Sequence, residues 1–537
     1  MVAAATPVRD AQVPRVPDSL GPLRVSRAAV LGFLAMLAIV CGAMLGGESF
    51  ETHLPGAWFF GMQGGHLGSL GSSTGTPPLY AVVAVYGGLV LLIRVWLGFL
   101  RQVSARHSVP VKRVVLVVAI WAVPLLMAPP LFSRDVYSYA GQGEMVSHHI
   151  DPYLYGTEVL GATPFSTMPD PIWTNTPSPY GPTFLSIDGV LDEVSGHMIL
   201  PDIVLLRLLE VAGLALIVGA TPTLARRLGR DPAEAVLLGA GCPLVLTTII
   251  GGAHNEGLML GLLMAGLAVA QRWGTVPGVI LCAAAAGVKS PAALGVVFLG
   301  YMWAGPGASV RRRVVHIVGA ALVALCTLAV ISAVSGTGWG WLRTSTAADK
   351  SFTFVTPVDA LARAVSDVAG IVNLHIPVLG ARSVFSVLGL LCAAVIGVRL
   401  LLGSTESIML RNLGLTLLVV ALLGPILWGW YVTWGVVVLA PAASGTLRRI
   451  LVAISAVEVI VAASSVKNIL GGVFDAGIFP TLILVAAIFA VVVVPLGQFD
   501  RPFTFGDLTR RGSGRNFGLP GRPPGWRGQP VHALSKG

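Results

Sequence analysis

The chain is a succession of continuous apolar blocks of roughly 17 to 22 residues, separated by short polar segments. A block of that length can cross a hydrocarbon core of about 30 Å. An unbroken apolar run in lipid must satisfy its own backbone, so each block predicts a helix and not an alternating strand. About fourteen blocks qualify, near 27–46, 79–100, 113–131, 201–222, 234–250, 254–271, 275–288, 291–304, 314–334, 382–402, 410–425, 429–445, 449–466 and 477–496. The helices within 234–271 and 275–304 are short and separated by single turns. The expected fold is an all-α polytopic membrane protein. A tail over 1–26, a membrane domain over 27–496 and a second tail over 497–537 make up the chain, with long polar loops at 132–200 and 335–381 that carry short amphipathic helices.

Composition agrees. Only 11% of the 537 residues are charged and 55% are hydrophobic, with a mean hydropathy of +0.81; a water-exposed surface usually needs about a quarter charged. The net charge of +10 does not indicate nucleic acid, because the basic residues alternate between loops. Arg9, Arg15, Arg24 and Arg27 lead into the first block, and 47–78 has no Lys or Arg. Arg101, Arg106, Lys112 and Arg113 follow the second block. Loop 132–200 sets one basic residue, Arg134, against eight acids, and Arg226, Arg227 and Arg230 come after the fourth block. Arg272, Arg311 to Arg313 and Arg448–Arg449 mark later turns on the same side. Positive loops face the cytoplasm. Both termini are therefore expected inside and loop 132–200 outside, in a multi-pass protein of the plasma (inner) membrane. The first block is expected to be an uncleaved helix. The five cysteines lie in apolar blocks without metal or disulfide spacing, and the Pro-, Gly- and Arg-rich tails have too few apolar residues for a core.

Chemistry is expected at the outer boundary. Pro129 and Pro130 end a block, and Ser133-Arg134-Asp135 opens the long loop. Ser133 can cap the next helix, and Asp135 then falls in its first turn. There it is either a helix-dipole partner or a partly desolvated carboxylate suited to deprotonate a sugar hydroxyl. Asp151-Pro152-Tyr153 is a turn with Asp151 as a candidate ligand. Trp173 to Pro182 is a rigid turn presenting Trp173 and Tyr180, either to a sugar or to the interfacial aromatic belt. The turn His254-Asn255-Glu256 opens an apolar helix, where Asn255 or Glu256 can take an acceptor hydroxyl or merely close the turn. Lys289, alone between two apolar blocks, either snorkels to the surface or meets a phosphate. Arg134, Arg343 and Lys350 are further outer cations. Trp428 to Trp434 is an interface anchor or the lining of a lipid groove. Asp188, Asp192 and Glu193 suggest a solvated acidic surface.

There is no P-loop, dinucleotide fingerprint, His/Cys metal cluster or paired-acid nucleotide clamp, which points away from a soluble nucleotide donor and toward one carried by lipid. The segments Ser133 to Tyr139, Asp151-Pro152-Tyr153, Thr176 to Pro182, His254-Asn255-Glu256 and Lys289 resemble, in order, the actinobacterial polyprenol-phosphate-mannose-dependent α-(1→6)-mannopyranosyltransferases. The resemblance implies a GT-C-type glycosyltransferase with Asp135 as its catalytic carboxylate. It also implies a polyprenyl-phosphate mannose donor and an α-(1→6)-mannan lipid acceptor leading to lipomannan and lipoarabinomannan. The expected site comprises Asp135 as base, Lys289 and Arg134 at the donor phosphate, and Asp151, Trp173, Tyr180, His254, Asn255 and Glu256 at the acceptor or sugar. No metal or cofactor is expected, and the partners are membrane lipids and the two lipid substrates, with no nucleic acid. A transferase for another polyprenyl sugar such as arabinose, a secondary transporter and a non-catalytic lipid-binding subunit are the alternatives.

Overall fold

In the computed structural model, the residues described are 25–47, 57–58, 62–63, 79–106, 109–344 and 356–463. The expected span 477–496 and most of both tails lie outside them. Apart from one two-residue antiparallel pair, Ala57–Trp58 with Met62–Gln63, every described element is helical. Among the described residues, five helices are long and apolar enough to cross a membrane: α1 (Val25–Gly42, continued by one π turn), α2 (Leu79–Arg106), α6 (Ile199–Arg227), α11 (Val310–Ser335) and α13 (Val378–Leu402). A sixth forms if Pro232–Leu238 (α7) and the following segment Pro243–Gly251, bent by 49°, count as one span. In the best apolar window of α11, and again in that of α13, only 11% of residues are buried. Apolar helices bare on nearly every side need a surround that is itself apolar. The protein is a multi-pass membrane protein.

Several polar side chains among the apolar helices bond to backbone. The Trp121 indole of α3 (Val111–Leu126) donates to the Ala28 carbonyl of α1 at 2.9 Å, and Trp96 of α2 donates to the Leu237 carbonyl of α7 at 2.9 Å. In α6 the Arg207 guanidinium donates to the Ala128 carbonyl and, at 3.4 Å, to that of Gly251. One turn on, Glu210 accepts from the Leu258 amide at 2.9 Å. That amide belongs to the first turn of α8 (Glu256–Trp273), where helix N–H groups have no intrahelical acceptor. The end of α3 and the start of α8 are thus both tied to α6.

The outer loop folds on two helices, α4 (Asp135–Ser147) and α5 (Pro182–Ser195), with short turns between them. Gly196, at φ 68°, ends α5 in a left-handed cap. Asp188 and Asp192 do not form the solvated surface expected of them. Both are fully buried, because their i,i+4 spacing places them on the stripe of α5 that faces α4. After α8 come α9 (Thr275–Ala286), α10 (Ala293–Trp303), α11, α12 (Pro357–Ile371), α13, α14 (Met409–Leu423), α15 (Val432–Leu439) and α16 (Gly445–Val461).

Helices α6 and α8 cross at glycines. A Cβ on Gly213 would lie 2.3 Å from backbone atoms of Gly257, and one on Gly261 would lie 2.5 Å from the Gly213 carbonyl oxygen. Gly213→Leu is therefore expected to lower stability by about 1–3 kcal/mol or more. Gly219→Leu, on the same helix with open space around it, is expected to leave the melting temperature in detergent near wild type. Equal melting of the two variants would refute the crossing.

Candidate active site

Asp135 is the first residue of α4, placed there by the segment before it. Pro124 lies in the last turn of α3, Phe132 reverses the chain at φ 64°, and the Ser133 hydroxyl accepts the Asp135 amide at 3.1 Å. The Leu131 amide donates to the Gly251 carbonyl at 2.9 Å, which anchors the reversal to the core. From there Asp135, Ser138 and Gln142 occupy one face of α4 and line a cavity of about 290 Å³.

The second wall carries Tyr180 and Lys289. Backbone bonds bring them together. The Thr183 and Phe184 amides, at the start of α5, donate to the Gly287 carbonyl at 3.0 and 3.2 Å. Gly181 fits this contact because any Cβ there would lie 2.5 Å from the Gly287 oxygen. The Tyr180 turn therefore sits directly against the turn that ends in Lys289. Ser178 secures the turn to α4 by donating to Gln142 Oε1 at 2.8 Å, and its amide donates to the Pro152 carbonyl at 2.8 Å.

Lys289 forms an ion pair with Glu256, whose side chain is fully buried. Its ammonium also lies 4.6, 5.7 and 5.9 Å from the ring centroids of Tyr431, Tyr180 and Trp434. Burial works against the charge, but Glu256, Tyr431 and Tyr180 outweigh it and raise the pKa above the ordinary lysine value. Burial likewise raises the Tyr139 and Tyr180 phenols, so both are neutral. Lys289 is the fixed positive charge of this wall.

The third wall is apolar. It comprises Leu390 of α13, Val420 of α14, the Gly424-Pro425-Ile426 turn, Trp428, Tyr431 and Trp434, with Trp173 contributing from the outer loop. The turn is braced from outside the cavity. Arg382 pairs with the buried Asp359 at 2.6 Å and donates to the Pro425 carbonyl at 3.2 Å, and the Thr356 hydroxyl accepts the Leu427 amide at 2.8 Å.

The other expected site residues stand around the cavity and do not line it. His254 is buried with its Nδ1 3.5 Å from Asp135 Oδ2. Its ring stacks on Trp430 at 3.9 Å, and Trp430 stacks on Trp428 at 5.1 Å. Asn255 is fully buried, and neither amide atom has a hydrogen-bond partner among the described residues. Glu256 lies behind Lys289. Asp151 is exposed and accepts the Tyr153 amide at 2.8 Å, so its turn supports the Ser178 turn from outside. Arg134 adjoins Asp135, half-buried, without lining the cavity. Arg343 is exposed elsewhere, and Lys350 lies outside the described residues.

A carboxylate and an ammonium facing one cavity with an aromatic and aliphatic wall suit transfer chemistry on an amphiphilic substrate. Comparison with known sequences is specific. The family described as alpha-(1→6)-mannopyranosyltransferase, N-terminal domain, matches residues 29–305, and the MptB C-terminal domain matches 360–496. The chain belongs to the alpha-(1→6)-mannopyranosyltransferase family. Within this family it is 32% identical to alpha-(1→6)-mannopyranosyltransferase A of Mycobacterium tuberculosis, over 80% of this chain and 82% of that one. It is 30% identical to a probable alpha-(1→6)-mannopyranosyltransferase of Mycolicibacterium smegmatis, over 82% and 81%. The B enzyme of Corynebacterium glutamicum is 26% identical over 79% and 74%. Like the rest of the mannopyranosyltransferase family, the chain is a glycosyltransferase.

Sequence reasoning missed several cavity residues. Ser138 and Gln142 were detectable by their helical spacing from Asp135. Leu390, Val420 and the Gly424 turn were not, because they reach the cavity only through packing of distant helices. Lys289→Met removes one partner of a buried pair and strands the Glu256 carboxylate. The expected cost is about 3–5 kcal/mol, read as a lower melting temperature, and Lys289→Met/Glu256→Gln is expected to recover most of it. A double variant as unstable as the single one would contradict the pairing.

Proposed function

We propose that this protein transfers mannose from a polyprenyl-phosphate carrier to the 6-hydroxyl of a lipid-attached α-(1→6)-mannan, in synthesis of the lipomannan and lipoarabinomannan backbone. The relatives' names support mannose as the transferred sugar. One observation carries the chemistry: Asp135 and Lys289 open onto the same cavity, and its remaining wall is apolar and aromatic. Such a space takes a sugar phosphate at its polar end and a prenyl chain along Leu390, Val420 and the tryptophans.

A β-mannosyl phosphate converted to an α-mannoside is inverted by one displacement. The acceptor oxygen forms the new bond to the anomeric carbon as the carbon–oxygen bond to phosphate breaks. The acceptor proton passes to Asp135, and the lipid phosphate leaves with the bonding electron pair. Lys289 is the cation for that phosphate: an ammonium has three donors, so pairing with Glu256 does not exhaust it. Fixed charge of this kind, set in place before the reaction, stabilises the transition state without reorganisation. Arg134, next to Asp135, adds positive potential at the mouth. His254 orients the Asp135 carboxylate through the contact at 3.5 Å. Trp173 and Tyr180 offer ring faces to the sugar, and Asn255 and Asp151 act from the surrounding shell. No resident cofactor enters this scheme. The scheme fits a GT-C-type bundle of about fourteen spans, with both termini cytoplasmic and the cavity at the outer face.

Asp135→Asn keeps the size of the side chain and removes the base. It is expected to lower kcat by about a hundred- to ten-thousand-fold, measured on purified enzyme with polyprenyl-phosphate mannose and defined α-(1→6)-mannosides. A folded variant that turns over at the wild-type rate would sink the assignment.

A further inference from the structure

A second cluster of titratable groups lies at the opposite end of α4. Glu144 and Ser147 are in its last turns, His148 follows it, Asp188 and Asp192 are on α5, His197 is in the turn after α5, and Asp202 opens α6. The ligand atoms of Glu144, His148 and His197 all lie within 4.8 Å of one another. His197 Nδ1 is 3.1 Å from Glu144 Oε2 and 2.7 Å from Asp192 Oδ2, and His148 Nδ1 is 3.6 Å from Glu144 Oε1. The imidazole rings are 4.9 Å apart. Their distance apart in sequence hides this set from any reading of motif spacing.

The buried side of the cluster supplies an independent observation. Asp188, Asp192 and Asp202 are each fully buried. Among the described residues, neither oxygen of Asp188 or Asp202 has a hydrogen-bond partner, nor has Asp192 Oδ1. The other Asp192 oxygen points at His197 and also accepts from the Ser147 hydroxyl at 2.6 Å. Four carboxylates thus converge with only two half-exposed imidazoles to offset them, and buried carboxylates without a cation are costly.

We infer that Glu144, His148, His197 and Asp192 form a structural site for one zinc ion. Two imidazoles and carboxylate oxygens are a zinc donor set, whereas calcium and magnesium favour oxygen alone. Tetrahedral ligands at about 2.0–2.1 Å from zinc sit about 3.3 Å apart, and the three donor spacings given above, 3.1, 2.7 and 3.6 Å, bracket that value. The ion takes the place of the proton that His197 Nδ1 shares with Glu144 and Asp192, while the buried acids Asp188 and Asp202 stand beside this set on α5 and α6. Nine residues of helix, about 14 Å, separate Glu144 from Asp135. The ion therefore takes no part in glycosyl transfer; it clamps the ends of α4, α5 and α6 and so fixes the helix that carries Asp135.

The test uses the full chain, purified in detergent through a tag other than polyhistidine and stripped of metal. Titration with zinc alone, with bound metal counted by mass spectrometry, is expected to give one ion per chain. His148→Ala/His197→Ala is expected to weaken binding by at least about 100-fold, while Asp135→Asn keeps the ion. Because the double variant can fail to fold, the wild type provides a second readout. Chelation is expected to lower its melting temperature, and zinc, but not magnesium or calcium, to restore it. Undiminished zinc in the folded double variant, or melting unmoved by chelation, overturns the site.

Discussion

Arg207 and Glu210 are the polar groups on which the arrangement of this protein depends. An ionisable side chain inside an apolar helix is expensive and is usually partnered. Both direct hydrogen bonds to loose backbone: Arg207 to the Ala128 and Gly251 carbonyls, while Glu210 accepts from the Leu258 amide. Those three groups belong to the exit of α3, the bend before α8 and the first turn of α8. One helix therefore fixes both segments from which Asp135 and His254 project. The same fact bears on the transporter alternative. Ionisable groups within a span are that reading's natural ion or proton path, and the hydrogen bonds of Arg207 and Glu210 go instead to helix ends.

The outer loop shows the same economy. Orphan amides at the start of α5 are satisfied by the Gly287 carbonyl, and that one contact sets Tyr180 beside Lys289. The Asp151 turn supports the Ser178 turn, and the Ser178 turn holds Gln142. Residues that look like separate ligands in sequence are in several cases a ligand and its support.

Much of this was legible in the sequence, for identifiable reasons. Apolar block length has a direct physical reading, so the long helices α1, α2, α6, α11 and α13 appear near the expected positions. Asp135 and Lys289 stand out because charge at a membrane boundary is expensive. The burial of Asp188 and Asp192 was not legible, because a hydrophilic stripe on an amphipathic helix looks alike whether it faces water or another polar surface. Nor was the meeting of Glu144 with His197, or of Arg382 with Asp359, since each joins separate elements through folded geometry. His254 shows a subtler limit. Its place near the candidate site was readable, but its orientation, beside Asp135 and against Trp430, was not.

Helix α13 has one further consequence. Its flanks are nearly bare of protein, yet Leu390 on the same helix lines the cavity. Such a wall separates the reacting space from the bilayer by a single helix thickness. The lipid-linked substrates proposed above would reach it by lateral diffusion in two dimensions, and the quantity that governs occupancy would be their mole fraction among the lipids, not their bulk molarity. Diluting the membrane with inert lipid at fixed total substrate then slows such an enzyme, whereas diluting the surrounding buffer leaves its rate alone.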